Sequence, residues 1–186
     1  ARGFGGRVVM TPGGFESGTD RVAFVSKDSS SEIVVNIQGD DPLISGETID
    51  CVVNALEQSP GFGMATLAVE KTDSAELTDP NVVKVVVNAE NEALYFSREP
   101  LKSKANGTFF KHLGIYAYRR DALSAFCGFP QAELEKVERL EQLRALSHGI
   151  RIKVGFVAAD LIAVDTPEDV ARVEARLVEQ FMENAG

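Results

Sequence analysis

The run Ile33-Val34-Val35-Asn36-Ile37-Gln38-Gly39-Asp40-Asp41-Pro42 decides how the rest of the chain is read. Its first half is β-branched and apolar, which marks a buried strand ending at Gln38. Gly39 lets the backbone turn, and Asp40 and Asp41 then project past the carboxyl end of the strand, where α/β sheets bind ligands. Carboxylates in that position suit magnesium, which takes one or two protein carboxylates and completes its octahedron with water and substrate phosphates. An acidic β-turn satisfies the same pattern, because Asp, Gly and Pro are favoured in turns of any protein.

Outward from this run the elements alternate. Towards the C-terminus, Ser45 can cap a helix with Glu47 in its first turn and Ile49, Val52, Val53 and Leu56 on its inner face, ending before Pro60. The strand MATLAVE follows. Towards the N-terminus, a helix is expected from about Gly18 to Lys27 and an apolar strand at Val8 to Met10. The opening RGFGG, with Gly5 and Gly6, has the form of a helix end handing over to that strand.

The central block breaks simple alternation, since NVVKVVVN and ALYFSR read as consecutive strands around the turn NAENE, with HLGIYAY as a third. That calls for a mixed sheet. The polar connection PLKSKANGTFFK, with Asn106-Gly107, is expected to be mobile. A short helix opens at Asp121 and ends near Gly128, and a long one is expected from Gln131 to Ser147, closed by Gly149. RIKVGFV is the last strand, and Thr166 caps a final helix carrying Pro167 at its first position and running to about Met182. Strands and helices joined by short connections predict a three-layer α/β fold, and 186 residues suit a single domain.

Composition narrows the function. Apolar residues are 44% and charged residues 25%, ordinary for a folded globular chain. A formal charge of −9 without clustered Lys or Arg excludes a nucleic-acid surface, so anionic ligands would need local cations such as Arg21, Arg98 or Lys111. Cys51 and Cys127 lie in apolar stretches without metal-ligand spacing, predicting buried reduced thiols and a cytoplasmic setting. No apolar run reaches a membrane span.

Other residues are candidates with two readings each. Asp165, at a second strand-to-helix junction, is a helix-cap residue or a second ligand converging on the same metal. His112 and Tyr116 share one face of a strand, with Gly114 leaving room between them, either as packed residues or as the polar wall of a sugar site. Glu138 and Glu141 share a helix face with Gln142 beside them, a solvated acidic face or a set of hydroxyl-binding groups. Arg21 and Arg98 each could hold a carboxylate by a two-pronged fork or form surface ion pairs.

SGTDR, VVNIQGDDPLI, MATLAVE, ALYFSR, KHLGIYAYRR, LEQLRAL and VDTPEDV occur in one order across nearly the whole chain, and together they resemble bacterial 3-deoxy-manno-octulosonate cytidylyltransferases. The resemblance implies a Rossmann-like nucleotidyltransferase fold with a mixed sheet. It implies transfer of a cytidylyl group from CTP to the sugar acid Kdo, releasing pyrophosphate and giving CMP-Kdo for lipopolysaccharide assembly, by a homodimer using Mg2+. Asp40 and Asp165 would be the catalytic magnesium ligands, and Arg21, Gln38, Arg98, His112, Tyr116, Glu141 and Gln142 would bind the sugar.

Three departures shape the expectation. The family's opening IPAR…SRxPGK segment, which cradles CTP, has no counterpart, so the N-terminal strands are expected to be absent, about 60 residues or two βα units. Such a chain is expected to bind CTP poorly and turn over little, which leaves a non-catalytic sugar-acid-binding or dimerising fragment as an alternative. FSREPLKSK lacks the isoleucine-proline that usually follows FSR, and AADLIAVDTPED lacks the usual GTG. Relatives acting on 8-amino-Kdo resemble the second stretch, so that sugar and a sialic acid are alternative substrates.

Overall fold

The structure, a computed structural model, describes residues 3, 5–15, 17–101, 106–158, 160–161, 163–164 and 166–184. Helix α1, Gly18–Ser26, starts where Ser17 accepts the amide of Asp20 and returns its own hydroxyl to the Asp20 carboxylate. Strand β1 is Ile33–Asn36, and α2 is Gly46–Glu57, capped by Ser45 accepting from the Thr48 amide. Strand β2 is Met64–Lys71, followed by a short helix α3, Ser74–Thr78, which the sequence pattern did not suggest. The strands β3, Lys84–Val87, β4, Ala93–Ser97, and β5, Phe109–Arg119, are the expected mixed block. Then come α4, Arg120–Gly128, α5, Glu133–Glu138, α6, Gln142–Ser147, β6, Ile152–Phe156, and α7, Pro167–Asn184.

Six strands form one mixed sheet in the order β4-β3-β5-β2-β6, with β1 added on β5. The long β5 runs antiparallel to β2, and it takes β1 along its C-terminal half, Tyr116 to Arg119, and β3 near Lys111. Strands β2 and β6 are parallel. One face packs on α2 through Val52, Leu56, Leu67 and Ile115. The other packs Met64, Phe96 and Tyr118 against Leu123 and Phe126 of α4 and Leu143 of α6. Helices lie on both faces of the mixed sheet, which makes the architecture three-layer α/β.

The sheet is interrupted by a bulge in β5. Thr66 pairs with Tyr116 but Leu67 pairs with Leu113, so Gly114 and Ile115 bow out of register. Thr66 pins the bow, because its hydroxyl reaches the carbonyls of Ile115 at 2.8 Å and Leu113 at 3.2 Å. A bulge re-aims side chains, and here it turns one stretch of β5 towards an open cleft.

Three expectations are corrected. The apolar run Val8 to Met10 is not a strand, and Met10 is 84% exposed. β-branched residues favour extended backbone but need a ladder partner, and none of the described residues supplies one. Helix Gln131 to Ser147 is broken into α5 and α6 at Arg139, which takes a left-handed conformation with φ 55°. The Glu138 carbonyl accepts Arg98 Nε at 3.1 Å, while the Glu138 carboxylate accepts from the Arg98 amide, Ser97 and Tyr95. The break splits the apolar ladder: Leu134 and Val137 face solvent, whereas Leu140 and Leu143 are buried. Cys51 is exposed, because it sits on α2 opposite the face that carries Val52 and Leu56; both cysteines are free thiols. The expected mobile connection lies partly outside the described residues, and where described it joins β5.

Candidate functional site

The cleft opens above the carboxyl end of β1 and has a volume of about 510 Å³. Its floor is the bulged stretch of β5, with His112, Gly114 and Tyr116. One wall is the turn Gln38 to Asp41 that follows β1, and the opposite wall is the segment 79–83 between α3 and β3. Leu140 and Gln142, flanking the break between α5 and α6, close one end. Asp169 and Arg172 of α7 approach from the rim.

His112 and Tyr116 do share a face, with ring centroids 5.5 Å apart, and Phe96 meets the His112 ring edge-on at 5.0 Å. Both are almost completely buried. Burial lowers the His112 pKa from 6.5 to about 3, so the ring is neutral at physiological pH. The Thr66 hydroxyl has one proton, aimed at the bulge carbonyls, so His112 Nε2, 2.9 Å away, must donate to it. That assigns the proton to Nε2 and leaves Nδ1 as an acceptor. Burial, with the charge of Glu141 adding to it, pushes the Tyr116 phenol well above its ordinary value and keeps it a donor.

Gln142 is 2% exposed, yet its Nε2 finds no hydrogen-bond partner among the described residues. A buried donor left unmade costs about 1–3 kcal/mol, so a polar ligand reaching this end of the cleft would recover that loss. Gly114 is where the floor is open: a Cβ there would come no closer than 3.8 Å to Gln38 Cγ and 4.0 Å to Asp41 Oδ2.

The cleft is acidic. Among the described residues, Asp40, Asp41, Asp73, Glu76, Asp79 and Asp169 line it, against Lys111 and Arg172 as cations. Those cations are engaged: Lys111 with Asp160 at 2.9 Å, and Arg172 with Asp169 at 2.9 Å. Burial alone would raise the Asp160 carboxyl, but Lys71 and Lys111 outweigh it and hold the pKa below the ordinary value. The Asp40 carboxylate is exposed and takes no hydrogen bond from the described residues. Its backbone carbonyl accepts the amide of Val164 at 2.8 Å, so the second strand-to-helix junction runs beside the first. Asp165 itself lies outside the described residues.

The remaining sequence candidates divide. Glu141 sits between the cleft residues Leu140 and Gln142 and accepts the Thr19 hydroxyl at 2.5 Å. Arg98 does not line the cleft; its guanidinium bonds to the carbonyls of Glu138 and Pro80, the latter beside the cleft wall. Arg21 is exposed on α1, bonded to Thr11 and stacked 5.3 Å from Phe15. It follows Thr19, the buried residue of α1, by two positions, about 200° around a helix. Glu138, read from the sequence as either part of a solvated acidic face or a hydroxyl-binding group, anchors the end of β4. The sequence pattern gave no role to Lys84, 1% exposed, whose ammonium donates to the carbonyls of Asp79, Val82 and Arg98 and so ties the cleft wall to β4. Its only sequence signal was a lysine inside an otherwise apolar strand.

A cytidylyltransferase family model matches residues 1–152. The chain is 47% identical over 184 residues to the 3-deoxy-manno-octulosonate cytidylyltransferase of Desulfatibacillum aliphaticivorans, covering 95% of this chain and 75% of that protein. It is 48% identical over 182 residues to the 8-amino-3,8-dideoxy-manno-octulosonate cytidylyltransferase of Shewanella sediminis, covering 94% and 74%. The solved structure of a CMP:2-keto-3-deoxy-manno-octonic acid synthetase complexed with CTP superposes with a TM-score of 0.88 at 39% identity, covering 96% of this chain and 75% of that one.

Proposed function

The chain belongs to the cytidylyltransferase family, and from that premise we propose that it is the nucleotidyltransferase that joins CMP from CTP to Kdo, with pyrophosphate leaving. The observation that carries this reading is the cleft: Gln38, Asp40, His112, Tyr116 and Gln142, distant in sequence, line one cavity on a fold shared with a CTP-bound synthetase. The new bond joins the sugar's anomeric oxygen to the α-phosphorus, and the bond to the pyrophosphate oxygen breaks. The protein therefore has to position more than it has to move protons.

The polar groups suit a polyhydroxylated acid. Gln142 Nε2 and the Tyr116 phenol donate, His112 Nδ1 accepts, and none of the three carries charge at neutral pH. Arg98, committed to the carbonyls of Glu138 and Pro80 behind the cleft wall, adds positive potential on the side of the sugar carboxylate rather than a direct contact.

A divalent cation fits this donor set. Six carboxylates against two engaged cations would repel a nucleotide and a sugar acid, and Asp40 presents an uncommitted hard oxygen at the cleft lip. Magnesium takes one or two protein carboxylates and completes its shell with water and phosphate oxygens, which suits a carboxylate at the cleft lip such as Asp40. Asp40 and Asp165 would hold it, where it would neutralise phosphate charge and polarise the reacting oxygens.

A homodimer is proposed on the exposed apolar pair Leu134 and Val137 of α5. A cytoplasmic place supplying CMP-Kdo to lipopolysaccharide assembly belongs to the same reading; no helix among the described residues is long and apolar enough to cross a membrane. Relatives named for Kdo and for 8-amino-Kdo are equally similar, so the amino sugar is the second reading.

The test is incubation of the protein with CTP, Mg2+ and either Kdo or 8-amino-Kdo, reading pyrophosphate release and the mass of the CMP-sugar. A CMP-sugar from one acid, lost in the Asp40→Asn protein at unchanged melting temperature, is expected. Calorimetric binding of the sugar with no product from either acid would replace the enzyme reading by the sugar-binding one.

A further inference from the structure

Beneath the cleft lies a polar network that the sequence did not announce. Thr19, in the first turn of α1, is fully buried. Its hydroxyl meets three partners from three other places in the fold: Asn36 at the end of β1, 3.0 Å away, Tyr118 of β5, 3.3 Å away, and Glu141 beside the break after α5, 2.5 Å away. Asn36 is 2% exposed and Tyr118 0%.

The chemistry of each group fixes the direction of every bond. A hydroxyl has one proton and two lone pairs. Glu141, as a carboxylate, can only accept, so the Thr19 proton goes to it. Asn36 reaches Thr19 through its amide nitrogen, so it donates. The remaining lone pair must take the Tyr118 proton, and Tyr118 is fit to supply it, since burial first and Glu141 second push its phenol well above the ordinary value. The network extends one step further: Gln38 Nε2 donates to Asn36 Oδ1 at 3.4 Å. Donors thus run in one direction, from Gln38 through Asn36 and Thr19 to Glu141.

One end of this chain lies in the cleft lining and the other adjoins it. Gln38 lines the cleft, and Glu141 sits between Leu140 and Gln142, which do. Thr19 does not line it. Because the chain is saturated in the middle, the amide of Gln38 and the carboxylate of Glu141 cannot reorient independently. A flipped Gln38 would set its oxygen against the Asn36 oxygen, and a rotated Glu141 would leave the Thr19 proton only the Tyr118 oxygen, displacing the Tyr118 proton from its acceptor.

We propose that Thr19 is a positioning residue for sugar recognition: through one buried hydroxyl it fixes the orientation of Gln38 on one wall of the cleft and of Glu141 at its end. This rests on the reading of the cleft as a sugar-acid site. What the position requires is a hydroxyl, whose one oxygen ties α1 to Asn36, Tyr118 and Glu141.

The experiment compares wild type with Thr19→Val, which keeps the shape and removes the hydroxyl, and Thr19→Ser, which keeps the hydroxyl. Kdo and CTP affinities are measured separately by calorimetry, with melting temperatures alongside. Thr19→Val should weaken Kdo about 10-fold, the scale of one lost hydrogen bond to a charged group. Its CTP affinity should stay unchanged, and Thr19→Ser should bind Kdo within about 3-fold of wild type. Wild-type Kdo affinity in Thr19→Val overturns the proposal, as does an equal loss in Thr19→Ser. A parallel loss of CTP and Kdo reduces Thr19 to a structural residue and also overturns it. If Thr19→Val does not fold, Thr19→Cys is read the same way, because a thiol fills the place of the serine oxygen but donates weakly. Wild-type protein that binds no Kdo defeats the sugar reading itself, a failure visible before any variant is made.

Discussion

Two polar regions, both deep in the molecule, have been finished differently. Behind α5, Arg144 is 1% exposed and places a two-pronged fork on Glu135 at 2.6–3.2 Å, lies 4.7 Å from the Phe126 ring and is 3.6 Å from Asp20. In the cleft, about as deeply buried, Gln142 leaves a donor unmade. The two lie two residues apart on one helix. Helix α6 therefore has one polar group whose bonds are complete inside the protein and another whose bonds wait for something outside it. The first is the signature of a framework and the second of a recognition surface, and the difference is the supply of partners, not burial.

The comparison breaks most visibly on the framework side. Glu135→Ala should cost about 3 kcal/mol of stability by leaving Arg144 buried without its main counter-ion, and chemical denaturation would read it. Adding Arg144→Met should recover most of that loss, because the pair is replaced by apolar volume and nothing is left stranded.

The next effect lies on the cleft floor, where His112 belongs to both regions: its Nε2 bond is complete, its Nδ1 acceptor is open. Its folded pKa lies below the unfolded 6.5, at about 3, so below pH 6.5 the unfolded chain binds the proton and the folded one does not. Stability is thus full above pH 6.5 and declines as pH falls towards 3. Between pH 6.5 and 4.5 this should remove about 2–3 kcal/mol that His112→Asn, measured in parallel, does not lose. Equal acid losses in both proteins would show that the ring is not held neutral.

The smallest expected effect sharpens the contrast. Gln142→Leu should change stability by less than about 1 kcal/mol, since the donor it removes had no partner inside the protein. Kdo affinity should nevertheless fall about 10-fold by calorimetry. A large stability loss with unchanged Kdo binding would place Gln142 with the framework.

Much of this molecule was legible in one dimension. Ser45 caps α2, Thr166 and Asp169 exchange bonds at the start of α7, and the NAENE turn joins β3 to β4 in antiparallel register. Those features depend on residues a few positions apart, where propensity and local hydrogen bonding operate. The long helix failed because its breaking partner, Arg98, lies 40 residues away from Glu138. Of the site, Gln38, Asp40, His112, Tyr116 and Gln142 were named from the sequence and do line one cleft, while Glu141 only adjoins its lining and Arg21 and Arg98 lie outside it.

The sequence by itself determined the order of elements, the mixed sheet and the chemical types available for binding, because periodicity, caps and residue identity are local properties. Tertiary structure alone decided which of those groups face each other. The bulge pinned by Thr66 aims His112 and Tyr116 at the cleft, and the αL residue Arg139 separates Glu138, which braces β4, from Glu141, which reaches Thr19. Whether a polar side chain is part of the frame or of the site depends on how many partners the fold brings within about 3 Å, and that number is written in no single stretch of the chain.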